Sequence, residues 1–227
     1  MKGKWLGMII ALLIAGVVTG YGAHNVTTDA IDPIDTIGPE GIPKLMEVAK
    51  SQDFDDLEIK IKAIQRLGKL KAVEAVPILI DALGYGSETI ILVGGTKKEY
   101  PWKVRVVAAL ALAEIGSAEA VDALAVRAFE DEEVTVKKAA VQALASLGPK
   151  AKTKKVLTYL YDILEKTKDN GLAYDICIAL GKIGDKSAFV HLLRVTQGGF
   201  LTVVKEKAEE AIKSLKWQEG SVFDEKK

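Results

Sequence analysis

The sequence predicts an all-α protein, a solenoid of about four to five stacked helix pairs, and three observations carry that prediction. Alanine and branched aliphatics dominate while aromatics make up only 6% of 227 residues, a balance suited to helices packed through small side chains. One aliphatic pattern recurs along the chain. A second apolar helical segment follows each of several recurrences. With 49% hydrophobic and 27% charged residues, the chain can bury a core and lies far from the composition of disordered proteins.

The recurrences superpose on Leu67, Leu112, Leu144 and Leu180, with a partial fifth copy at Ile212, spaced by 45, 32, 36 and 32 residues. Eight residues before each stands Ile59, Val104, Val136, Leu172 or Val204, and four before it Ala63, Ala108, Ala140, Ile176 or Ala208. Offsets of four and eight trace one helical face. Leu70, Ile115, Leu147, Ile183 and Leu215 extend the stripe, and Gly116, Gly148 and Gly184 stand one residue later, where a left-handed residue ends a helix. Second helices are read from Ala75, Ala120 and Ala188, with Pro77 at a first-turn site where its missing N–H costs nothing. Gly41-Ile42-Pro43 matches an isolated second helix and Val204 to Leu215 an isolated first helix, so the array starts and ends in mid-repeat. No helix of such a pair buries its stripe alone, and stacking supplies the cover.

At the N-terminus Lys2 and Lys4 precede an uncharged apolar run, Trp5 to Val18, the layout of an export signal. This run is shorter than the roughly 20 residues that span a bilayer. Residues 1–23 therefore read as a cleavable signal peptide, with retention as a membrane anchor through residues 5–23 as the alternative. Residues 24–40, rich in Thr, Asp, Pro and Gly, read as a linker, 41–216 as the repeat domain and 217–227 as a polar tail. The expected location is periplasmic or extracellular.

Thirty-one basic and 31 acidic side chains cancel, so no whole-molecule field draws in nucleic acid. One cysteine, Cys177, and two histidines, His24 and His191, make a poor supply of metal ligands, and no cofactor is expected. Cys177 falls on the packed stripe and reads as a buried, inert thiol. Acid groups at Asp55-Asp56 and Asp131-Glu132-Glu133 precede first helices and read as helix-capping residues. Lys150, Lys152, Lys154 and Lys155 form the densest basic patch, suited to an acidic partner surface.

The series Ile59-Lys60, Ala63, Leu67-Gly68, Ala75-Val76-Pro77 and Leu79-Ile80, repeated as Val104-Arg105, Ala108, Leu112, Ile115-Gly116, Ala120-Val121 and Leu124, resembles the short HEAT repeat of the phycobilisome-lyase type. That resemblance implies a superhelix whose second helices line a concave face and which mostly holds other proteins. It also implies that the basic residue after the leading aliphatic (Lys60, Arg105, Lys137, Lys205) pairs with an acid such as Asp56, Glu133 or Asp169. HEAT-repeat hydroxylases hold two irons with paired His-Glu dipeptides, and this chain has none.

The expected function is therefore a non-enzymatic scaffold that binds a protein partner, with a chromophore-lyase-like or other enzymatic assembly role as the alternative. Second-helix alignment nominates Asp81, Arg127, Lys155, Tyr159, His191 and Arg194 for the binding face. The insertion 84–103 adds a further candidate surface. Glu88 to Val93 is β-branched and apolar, Gly94-Gly95 signals a turn, and Thr96 to Trp102 returns, so either a hairpin or an irregular loop presents Lys97, Lys98, Tyr100 and Trp102.

Overall fold

The computed structural model of this chain describes residues 33–51, 57–84, 91–93, 96–98 and 100–224. The expected export signal and Asp55-Asp56 lie outside the described residues. Ten helices are described: α1 Ile42–Lys50, α2 Leu57–Lys69, α3 Val76–Ala82, α4 Trp102–Ile115, α5 Val121–Glu130, α6 Val134–Leu147, α7 Lys154–Lys166, α8 Asn170–Ile183, α9 Phe189–Gln197 and α10 Thr202–Ser214. Even-numbered helices are the first helices of the repeats and odd-numbered ones the second. Between α3 and α4, β1 (Ile91–Val93) pairs antiparallel with β2 (Thr96–Lys98), setting Ile91 opposite Lys98 and Leu92 opposite Lys97.

The first helices form a continuous row, α2 to α4 to α6 to α8 to α10, each packed along its length on the next. Leu67, Leu112, Leu144 and Leu180 are all fully buried in it, as are Ala63, Ala108, Ala140, Ile176 and Ala208. Small residues set the spacing. A Cβ on Gly68 would lie 2.8 Å from the Ala111 Cα, and one on Gly181 3.1 Å from the Ala211 Cα, so neighbouring backbones nearly touch. Among the second helices, α5 packs on α7 but α7 and α9 meet only sparingly.

Each pair turns through a short 3-10 segment, Val73–Ala75, Ala118–Ala120, Gly148–Ala151 or Lys186–Ala188. Gly116 and Gly184, both at φ 76°, end their first helices in the left-handed conformation. Gly148 also has positive φ, 53°, but a ψ of −123° takes it straight into its 3-10 turn. In the first repeat the matching position is Lys71, at φ 52°.

Two segments differ from their sequence reading. Residues 33–40, read as linker, carry turn Pro33–Thr36, which packs on α2, and the start of turn Pro39–Gly41, which packs on α1. Ile34 is buried there, and Arg66 donates from Nε to the Ile37 carbonyl at 2.7 Å. The tail after α10 also folds back on the repeats, as described below.

A left-handed L-residue costs roughly 1–2 kcal/mol, of which the greater unfolded freedom of glycine cancels part. Lys71→Gly is therefore expected to stabilise the protein by about 0.5–1 kcal/mol. Urea unfolding measures this, and a lowered midpoint would contradict it.

Candidate functional site

Where a basic residue follows the leading aliphatic it sits near the start of a first helix; Lys60 and Arg105 are buried, Lys137 and Lys205 are half-buried, and the fourth repeat has Ala173 there. Lys60 donates from Nζ to the Ser51 carbonyl just past α1, and Lys137 to the Phe129 carbonyl in the last turn of α5, at 2.9 Å. Both cations thus satisfy free carbonyls at the negative end of the preceding helix. The expected partners Glu133 and Asp169 do not take this role; Asp169 caps α8 by accepting from the Leu172 N–H at 2.7 Å and pairs with Lys138 at 3.0 Å. Asp56 lies outside the described residues.

Arg105 has the planar fork that a carboxylate can match, and it finds one. Its Nε and Nη2 each donate to Asp131 at 2.9 Å, and Nη1 donates to the Tyr100 carbonyl. Asp131 is therefore mainly a buried counter-ion rather than a helix cap, although its Oδ1 also accepts from the Glu133 N–H at 3.0 Å. Arg127 approaches the same carboxylate at 3.5 Å, with its Nε buried and unbonded.

Tyr100 corrects the sequence reading. It is buried (3% exposed) instead of being displayed by the insertion, because its ring covers the end of α3 while its hydroxyl donates to Asp81 Oδ2 at 3.3 Å. Burial and the Asp81 carboxylate push its hydroxyl pKa up to about 12. Asp81, Tyr100 and Arg127 are thus neighbours through one charged cluster. Trp102, first in α4, is 40% exposed, and the side chains of Lys97 and Lys98 lie outside the described residues.

Further along, the second helices carry a row of rings. Phe129 of α5 stacks on Tyr159 of α7 at 4.4 Å and 12°, and Tyr161 of α7 stacks on His191 of α9 at 3.9 Å and 9°. A cleft of about 610 Å³ runs between these pairs, lined by Phe129, Tyr159, Tyr161, Glu165, His191 and Phe223. A second, about 660 Å³, opens where α7 and α9 splay apart, beside Leu164, Glu165, Asn170, His191, Arg194 and Phe200. Glu165 stands between the two clefts, paired with Arg194 and 3.0 Å from His191 Nδ1, though off hydrogen-bond geometry. Burial lowers the His191 pKa despite the attraction of Glu165, so the imidazole is neutral at neutral pH. Lys155 of the same helix layer lies 3.9 Å from Asp122.

The basic patch at 150–155 is largely engaged within the chain. Lys150 donates to the Gly116 carbonyl at the end of α4, at 2.9 Å. Lys152 donates to the Gly220 carbonyl at 3.0 Å and lies near Asp185 and Glu219, while the Lys154 ammonium sits 5.7 Å from the Phe223 ring centre. The anchor of the tail is Asp185, fully buried in the α8–α9 turn. It accepts from the Ser187 N–H and hydroxyl at 2.9 and 2.7 Å, from the Ser221 hydroxyl at 2.7 Å and from the Val222 N–H at 3.1 Å. Since Ser187 gives its one hydroxyl proton to Asp185, the 2.7 Å bond from Tyr161 must have the phenol as donor. Burial alone raises the Asp185 carboxyl, but these hydrogen bonds outweigh it and hold the group below the usual carboxylate range.

Sequence reasoning found Tyr159, His191 and Arg194 and missed Phe129, Tyr161, Glu165, Asp185 and Phe223. The one available signal was Val222-Phe223, an apolar and aromatic pair in a polar tail. Cys177 is buried, and burial pushes its thiol pKa up to about 12, so it is protonated at neutral pH. Among the described residues no group of His, Cys, Asp and Glu could hold a metal, and no helix is long and apolar enough to cross a membrane.

Row packing, left-handed turns and the recurring pattern together define an α-solenoid of stacked helix pairs with a HEAT-like fold. Residues 91–172 match a family model described as HEAT repeats. Among solved structures the chain is similar to the complex of CpcE and CpcF of phycocyanin lyase from Nostoc sp. PCC7120, with 24% identity and a TM-score of 0.59 over 89% of this chain and 70% of that one. Human deoxyhypusine hydroxylase in complex with glycerol is also similar, with 15% identity and a TM-score of 0.41 over 94% of this chain and 87% of that one. No curated protein matches the sequence.

Removing one partner of a buried ion pair costs about 3–5 kcal/mol because the other charge is left uncompensated. Asp131→Ala is expected to destabilise by that amount in thermal or urea melts, and a loss under about 1 kcal/mol would show the pair to be dispensable. Asp185 has a lowered pKa, so its hold on the tail is complete above the ordinary carboxylate value near 3.8 and is lost as pH falls through the lowered one. Hydrogen-exchange protection of the Val222 amide, corrected for intrinsic rate, should therefore hold down to the ordinary carboxylate value and drop as pH falls below it. Protection independent of pH would mean that ionised Asp185 does not hold the tail.

Proposed function

We propose that this protein is an exported binding scaffold whose second-helix face holds a partner protein. The observation that carries the reading is the partly covered row of rings between α5, α7 and α9, bordered by Glu165 and Arg194. Aromatic and arginine side chains in partly formed clefts are the usual energetic centres of protein interfaces. The CpcE and CpcF chains, whose fold is similar, are themselves partners in a complex, which supports a protein ligand. Export rests on Lys2, Lys4 and the apolar run Trp5 to Val18. N-terminal sequencing of the protein from its host tests it, along with the alternative of an uncleaved anchor.

A second reading, action on a chromophore or other substrate as part of an assembly step, is favoured by the Glu165–His191 pair at the junction of two clefts. Absorbance and mass spectrometry of protein purified from the host separate the two readings. A stoichiometric pigment or cofactor would support the second.

Crosslinking in the native cell envelope followed by mass spectrometry tests the scaffold directly. The expected crosslinks to one partner fall on α7 and α9, and their absence from the second-helix face would overturn the reading. Replacing residues 86–99 with a short Gly/Ser linker is expected to leave helical circular dichroism nearly unchanged while weakening partner capture. Undiminished capture would remove the insertion from the interface.

A further inference from the structure

The tail beyond α10 treats the second-helix face as a binding site. It leaves α10 with the Lys216 N–H donating to the Gly184 carbonyl at 3.0 Å, sets Trp217 edge-on to Phe189, and reaches the α8–α9 turn without forming a helix or strand. There Ser221 and Val222 donate two of the four hydrogen bonds that Asp185 accepts, and Ser187 donates the other two. Next to them Phe223 enters the mouth of the 610 Å³ cleft, 6.3 Å from the Tyr161 ring centre and under the Lys154 ammonium. The carboxylates on either side meet a basic rim, Glu219 at 3.6 Å from Lys152 and Asp224 at 2.9 Å from Lys186. Every feature of this seat recognises a feature of the segment: a carboxylate takes a hydroxyl and a backbone N–H, rings and a cation take an aromatic side chain, and lysines take acids.

The seat is also larger than its occupant. Phe223 remains 38% exposed at one end, and the cleft continues past it to Phe129 and Tyr159. A segment with the same recognition features and a few more apolar residues would bury rings that the tail leaves open.

We propose that this groove is a peptide-binding site for an acidic, turn-forming segment of a partner protein, of the form hydroxyl, apolar, aromatic, carboxylate, and that Ser221-Val222-Phe223-Asp224, a turn closed by the Asp224 N–H on the Ser221 carbonyl at 3.1 Å, occupies it in cis until the partner displaces it. The proposal rests on the scaffold reading above and adds the chemistry of the partner. A tethered occupant competes at an effective concentration of about a millimolar, so the intact chain admits only segments that bind better than its own. The tail thereby acts as a threshold for capture.

The test uses the full chain and a variant lacking residues 219–227, with a fluorescein-labelled peptide of sequence EGSVFDEKK read by anisotropy. The shortened protein is expected to bind the peptide at least tenfold more tightly than the intact chain does. Changing the peptide's phenylalanine to alanine, or introducing Lys152→Glu with Lys154→Glu in the protein, should each weaken that binding at least tenfold. No binding to a shortened protein with unchanged circular dichroism, or binding indifferent to the phenylalanine, overturns the proposal. Should the shortened chain fail to fold, Phe223→Ala in the full chain must raise peptide binding, and unchanged binding overturns the proposal equally. Concentration-dependent dimers of the intact chain that vanish on removing residues 219–227 would mean that a second copy, rather than a partner, is the occupant. If the peptide fails while crosslinked capture persists, this inference falls and the scaffold reading stands.

Discussion

Close approach of neighbouring first helices is the constraint on which the remaining structure depends. Each first helix has an apolar stripe that only the next repeat can cover, and the cover is tight because Gly68 meets Ala111 and Gly181 meets Ala211 almost backbone to backbone. The opposite layer is built differently. Between the second helices stand Phe129, Tyr159, Tyr161 and His191, and where α7 and α9 carry such bulk they separate. Small residues on one side and rings on the other act as a wedge, and the clefts that could receive a ligand follow from that difference in side-chain size.

The same contrast explains what was legible in the sequence. The repeats were readable because burial of Leu67, Leu112, Leu144 and Leu180 depends on a period, and a period survives without knowledge of tertiary contacts. Gly116 and Gly184 were readable because only backbone conformation is at stake; Lys71 escaped notice because its conformation contradicts its residue type. Site residues were harder. Tyr100 looked like a displayed aromatic, yet its position is decided by Asp81, 19 residues away, and by the end of α3. Nothing local to Asp185 announces that Ser221, 36 residues on, will return to it.

The cations after each leading aliphatic offer a related lesson. The resemblance implied acidic partners for them; Lys60 and Lys137 each donate to a main-chain carbonyl at the end of the preceding helix. A carbonyl row at a helix terminus carries partial negative charge that no residue letter records. Arg105, whose fork can take two oxygens at once, is held by the Asp131 carboxylate.

The returning tail also sets this protein apart from an ideal repeat array in how it can assemble. Most contacts in a solenoid join adjacent repeats, so folding spreads locally and can begin anywhere. Hydrogen bonds between neighbouring repeats here link residues about one unit apart, such as Lys150 with Gly116, 34 residues away. The bond from Lys152 to Gly220 spans 68 residues and closes the last two repeats into a loop. Such closure is entropically costly and slow relative to local pairing. During synthesis the first repeats can therefore consolidate as they emerge, whereas the rings of α7 and α9 stay without their cover until residues 216–224 have left the ribosome. In that interval the cleft between α7 and α9 lacks the Phe223 ring that stands at its mouth beside Tyr161.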